Sequence, residues 1–240
     1  MMNQAWIPYC GTAPEPGRWL LQWNFDPALL VVLLGATGLA VWRSNGAGRK
    51  AAMAAIAVVT IAFVSPLCAL SSALFTARTL HHLLLVLAVA PLIALALPIP
   101  RRARLISAVA AHAAVFWSWH APGAYAAALS HDSVYWLMQI TILASATWFW
   151  RAIRASAAPA AIAGLLAAML SMGLLGALLT FAGQPLYAPH FATTLAWGFT
   201  PLEDQQGAGL IMWAPAALGY MVAALWRLNS LLSVRQISPA

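Results

Sequence analysis

Six histidines hold most of the chemistry available to this chain. Two are adjacent, His81 and His82, in the stretch FTARTLHHLLLVLAVAPLIALALP that runs from Phe75 to Pro98, with Arg78 just before them. Imidazole is the commonest biological metal ligand and binds in its neutral form. Arg78 precedes His82 by one helical turn and shares its face. A fixed positive charge there disfavours protonated His82, and neutral imidazole is the form that copper or haem iron requires. His81 points about 100° away around the helix. The two rings therefore do not easily meet one ion from one rigid helix, and one is expected to face the bundle while the other faces the interface. The plainer reading of any single one is a helix-end histidine bonded to headgroups or loop carbonyls. Polar groups gathered at one end of a membrane bundle, however, point to function.

The remaining candidates fall in other segments. His120 closes an apolar run, His131 precedes another, and His190 lies in a long loop; His112 sits within a span as a structural histidine, a relay or an axial ligand. Cys68, in VSPLCALSS, could offer copper(I) a thiolate or be a small buried hydrophobe. With Cys10 it forms no Cys-x-x-Cys pair, and the two are expected to make no disulfide framework. Met169 and Met172 are one turn apart and read as packing filler. In PLEDQQGAGLIMW, Glu203, Asp204, Gln205 and Gln206 precede a glycine-opened apolar run. Acids at a helix N-terminus cap orphan amides; four polar groups in a row exceed that need and could complete a metal site or dock a partner. There is no Ser-His-Asp order, phosphate loop or metalloprotease motif, so nothing supports an enzyme.

The elements that must position these residues are membrane helices. The 240 residues are 63% hydrophobic and 7% charged, against about a quarter charged in a soluble domain. An all-α polytopic membrane bundle follows. Apolar runs of spanning length fall at about 27–43, 51–74, 80–98, 105–119, 133–150, 160–181 and 207–226, which predicts seven transmembrane helices in a single domain. The opening residues lack a cleaved signal. The net charge of +7 reads as loop arginines rather than a nucleic-acid surface. Arg43, Arg49, Lys50, Arg101, Arg102, Arg104, Arg151, Arg154, Arg227 and Arg235 all fall on one side of the predicted spans, and Arg18 and Arg78 on the other. The positive-inside rule makes the first side cytoplasmic. The N-terminus is then outside and the C-terminus inside, and all the carboxylates, with every histidine but His112, face out. Arg78, His81 and His82 are expected at the outer water–lipid boundary.

Three blocks carry a resemblance: LFTARTLHHLLLVLAVAPLIALALP, WSWHAPGAYAAAL and PLEDQQGAGLIMWAPA. In order and character they resemble the multi-span CtaG family of cytochrome c oxidase assembly factors, over about Val64 to Trp226. The resemblance implies a bacterial inner-membrane protein that matures a haem–copper oxidase, holding or delivering copper at its outer side. The matching positions are His82, His120, Pro122, Asp204 and Gln205. The sequence departs at Arg78, where many members carry histidine, and at Met138-Gln139, where many carry an acid–histidine pair. His81, His82, His120 and His131 remain as a possible two- or three-coordinate copper(I) set. The implied partners are an oxidase subunit and the lipid bilayer. Two alternatives stand beside this: a bis-histidine haem electron carrier and a metal-free chaperone for an oxidase subunit.

Overall fold

Prolines and caps decide where the apolar runs break into helices. The computed structural model describes residues 6, 8–102 and 104–237, with 234–237 described by backbone alone. Among these the fold is all-helical. Helix α1 (Pro27–Arg43) starts with proline in its first turn, and the Asp26 carboxylate accepts from the amides of Ala28 and Leu29 at 2.7 and 3.3 Å. That arrangement fixes the chain entry and satisfies two orphan donors. Helix α2 (Gly46–Val64) ends at Ser65, whose hydroxyl caps α3 (Pro66–Ala73) through Leu67. The run expected as one span over 51–74 is therefore two helices, because Pro66 cannot continue the ladder of α2.

Helix α4 (Phe75–Leu84) passes through a π-helical turn (Leu85–Val89) into α5 (Ala90–Ala96). The expected span over 80–98 thus begins at Phe75. The π turn has a local cause. The Ala90 amide bonds the Leu85 carbonyl, and in that register the next donor would be Pro91, which has no N–H. The orphaned Val86 carbonyl instead accepts from the Trp150 indole at 2.8 Å. There follow α6 (Leu105–Trp119), the short α7 (Pro122–Ala128), α8 (Asp132–Ala155), α9 (Ala158–Thr180), α10 (Pro201–Trp213) and α11 (Pro215–Ile237). A capping box between Thr200 and Glu203 starts α10 at Pro201, ahead of the expected 207.

Four stretches are long and apolar enough to cross a membrane: Gly46–Val64, Phe75–Ala96, Ala158–Thr180 and Pro201–Ser233. Pro27–Arg43 and Leu105–Trp119 are apolar but shorter. Packing gathers the basic residues at one end. Arg151 donates to the Pro98 carbonyl, Arg154 to those of Ala94 and Leu97, and Arg227 to that of Ser156. The guanidinium groups take up carbonyls that helix C-termini leave unpaired. The side chain of Arg235 and residues 1–5 of the opening segment lie outside the described residues.

Helices α9 and α10 cross closely at Gly176 and Gly209. A Cβ on Gly209 would stand 2.6 Å from the Gly176 carbonyl oxygen, and one on Gly176 would stand 2.7 Å from that of Gly209. Small residues let membrane helices approach to backbone contact. The far end of the bundle carries the histidines. There the N-terminal segment is strapped down by a disulfide between Cys10 and Cys68. This corrects the expectation of two unpaired cysteines: their separation of 58 residues resembles no motif, and the fold brings them together. It also removes Cys68 as a thiolate for copper. Tyr9 reinforces the strap, donating to Asp26 at 2.8 Å and stacking on Tyr135 at 5.0 Å between ring centroids.

Candidate functional site

Helix α4 is held from across the bundle. The Asp204 carboxylate accepts from the Phe75 and Thr76 amides at 2.6 and 3.1 Å, and the Thr76 hydroxyl donates to the Asp204 carbonyl at 2.8 Å. A carboxylate at a helix N-terminus satisfies orphan donors and complements the dipole. The next turns of this capped helix carry Arg78, His81 and His82. All three are interior, at 0%, 0% and 1% exposure. The expectation that one of the two histidines faces out to the interface is thereby overturned. The helix begins earlier than expected and is enclosed by α3, α10 and α2, so both of its histidine faces meet protein.

His120 is the C-cap of α6 and meets His82 edge to face, with ring centroids 5.7 Å apart. Its Nδ1 lies 2.7 Å from the Phe116 carbonyl. A carbonyl only accepts, so Nδ1 carries the proton and Nε2 of the neutral ring presents its lone pair. Phe116 lies against the same ring at 4.4 Å, and Tyr187 donates to the His120 carbonyl at 2.8 Å. A cavity of about 700 Å³ reaches His120 past Trp117, Leu178, Phe181 and Tyr187. Both nitrogens of His82, and both of His81, make no hydrogen bond among the described residues. His81 stands 6.2 Å from His82 and edge-on to Phe63 at 4.6 Å.

The other candidates are placed apart or already engaged. His131 is exposed at the start of α8. His190 is buried and bonded on both nitrogens. Its Nδ1 donates to the Ala73 carbonyl at 3.3 Å, and its Nε2 accepts from the Tyr125 hydroxyl at 2.6 Å. Burial, aided by the charge of Arg78 and opposed by the Ala73 bond, pushes its pKa down to about 3. Glu203 closes the capping box with Thr200. Gln205 accepts from the Leu186 amide at 2.7 Å and donates to the carbonyls of Leu179 and Gln184. His112 pairs with the Tyr220 hydroxyl at 3.1 Å. Among the described residues no group of three or more histidine, cysteine or acidic side chains is placed to hold a metal.

The family model for cytochrome c oxidase caa3 assembly factors (Caa3_CtaG) matches residues 29–233. The chain belongs to this family. No curated protein and no solved structure matches it. The region matched to Caa3_CtaG contains the whole histidine cluster, whereas Tyr9 and Cys10 of the strap precede it.

Chemically, the buried end of this Caa3_CtaG protein offers imidazole and little else. Its cysteine sulfur is tied up in the disulfide and the Asp204 carboxylate caps α4. Two facing neutral imidazoles suit a low-coordinate copper(I) ion. Metal–imidazole bonds of roughly 2 Å would put two ring centroids about 6 Å apart across one ion, close to the separation found. Sequence reasoning did not single out Tyr125, Tyr135 or Tyr187, which line this cluster. Their signal was a tyrosine within or beside apolar helices, since a buried phenol needs a partner for its hydroxyl.

Proposed function

We propose that this cytochrome c oxidase assembly factor holds copper(I) between His82 and His120 and passes it to a haem–copper oxidase subunit. The single observation that carries the reading is the facing His82–His120 pair beside an open cavity. The Phe116 bond fixes the His120 tautomer, as a second-shell partner does for metal-bound histidines. A pair rather than a closed set of four ligands suits hand-over, because an incompletely coordinated ion is free to accept a ligand from its acceptor. No substrate bond is made or broken, so the role is not enzymatic. The copper reading is favoured over a haem carrier because Phe116 at 4.4 Å and Phe75 at 6.3 Å crowd the His120 ring, leaving room for an ion rather than a macrocycle.

The same reading places the histidine end on the outer face of a bacterial inner membrane. The arginine end would be cytoplasmic by the positive-inside rule, and seven spans would put the N-terminus outside and the C-terminus inside. The test is oxidase copper in cells that carry His82→Ala or His120→Ala. Each is expected to lower copper per oxidase while the variant still accumulates in the membrane. Normal oxidase copper in both would contradict the proposal.

A further inference from the structure

Arg78 is a buried cation that no carboxylate pairs with among the described residues. It is 0% exposed, and its Nε, Nη1 and Nη2 make no hydrogen bond among the described residues. Its guanidinium lies 5.2 Å over the face of Tyr135. The carboxylates of the chain are engaged elsewhere or exposed. Asp204 caps α4, Glu203 caps α10 and Asp26 caps α1, while Glu15 and Asp132 are exposed. Other side chains on α3, α4 and α8 repeat the pattern. The Ser72 and Thr79 hydroxyls, both nitrogens of His81 and His82, and the Gln139 amide are buried and unpaired.

Buried polar atoms without partners are exceptions that mark bound water or a bound ion. Water would satisfy their hydrogen bonds but not the charge. Arginine cannot escape by losing its proton, and an isolated cation inside a membrane bundle is strongly disfavoured.

We propose that Arg78 binds a small monovalent anion, of the halide or carboxylate class, inside the bundle. The guanidinium fork matches a carboxylate or a single halide, and one such charge balances one arginine. Complete burial keeps a lipid headgroup out. The approach would be from the cavity at His120, whose ring meets that of His82 one turn beyond Arg78, although Arg78 itself does not line that cavity. The anion is either free in solution or the carboxylate of an inserted acidic side chain. The site does not depend on copper, although a bound anion would offset the charge that copper adds.

The test uses the metal-free full chain in lipid nanodiscs, with chloride titrated against methanesulfonate at constant ionic strength. The proposal expects saturable broadening of the chloride NMR line. Arg78→Gln should weaken it about tenfold or more, and Arg101→Gln, at the other end of the bundle, should leave it unchanged. Acetate is the second probe. Displacement of chloride by acetate supports a site open to a carboxylate, and chloride binding that acetate does not disturb supports a free halide. If Arg78→Gln does not fold, the native chain still decides, because a bound anion raises its thermal midpoint with chloride over methanesulfonate. No saturable broadening and no midpoint shift would mean that no anion attends Arg78 and would overturn the proposal. Equal broadening in a folded Arg78→Gln would also overturn it.

Discussion

His82 and His120 come from different helices and meet with ring centroids 5.7 Å apart, although 38 residues of sequence, by the difference of their numbers, separate them. Two devices create the meeting. Asp204 caps α4 and so sets the height of His82. The Phe116 carbonyl fixes the ring of His120 at the end of α6. The copper reading rests on this pair, and the cap and the strap around it yield separate predictions.

Asp204→Ala should destabilise the fold by about 1–3 kcal/mol, because it leaves one buried and one half-buried amide unpaired. Glu203→Ala, at the exposed capping box of α10, should cost less. Thermal unfolding of both variants in the same detergent checks the order. Copper affinity is expected to fall with Asp204→Ala and not with Glu203→Ala, since only the former positions α4. Equal stability of the two would contradict the role given to Asp204.

Cys68→Ser should lower stability by about 2–4 kcal/mol, the usual worth of a native disulfide, while leaving copper binding in place. Unfolding with and without a reductant gives the first quantity, and metal content gives the second. Loss of copper in the Ser variant, with the fold intact, would return Cys68 to the ligand set.

Gly209→Ala adds a methyl group where the Gly176 carbonyl oxygen would stand 2.6 Å away. Helices α9 and α10 must then separate, and overpacking of this kind costs about 1–3 kcal/mol. Gly183→Ala, whose Cβ would meet nothing within 4 Å, is the control. The two variants should differ clearly in membrane accumulation and thermal midpoint.

His190 gives a pH dependence of defined sign. Its pKa is held at about 3 in the fold, against 6.5 ordinarily. Below about pH 6.5 the unfolded chain takes up a proton that the folded chain refuses, so stability contributed by neutral His190 is fully present above that pH. It is lost on acidification toward 3 by about 1.4 kcal/mol per pH unit. The Arg78 guanidinium and the Tyr125 hydroxyl face this ring. His190→Gln should therefore flatten the fall in stability between about pH 7 and pH 5 relative to the native chain. An unchanged slope would contradict the assignment.

The membrane bundle and the division of charge between its two ends were legible because apolar run length and loop arginines are local signals. His82, His120 and Asp204 were legible as residues of interest, but not what each would touch. The start of α4 was misjudged because Thr76, Arg78 and Thr79 look too polar for the interior, and nothing in one segment announces that α3 and α10 enclose it. The break at Ser65-Pro66 was written in the sequence as a capping serine before a proline. The disulfide was not, since pairing over a long separation depends on the fold. The tasks of Glu203, Asp204 and Gln205 were half legible. Capping accounts for Glu203 locally, whereas Asp204 and Gln205 bind segments distant in sequence.

The most direct measurement is X-ray absorption at the copper edge of the purified chain loaded with copper(I) under reducing conditions. The account predicts about one copper per chain with two imidazole nitrogen neighbours and no sulfur, with the bound copper lost in both His82→Ala and His120→Ala. Sulfur neighbours, a haem spectrum, or copper retained in both variants would contradict it.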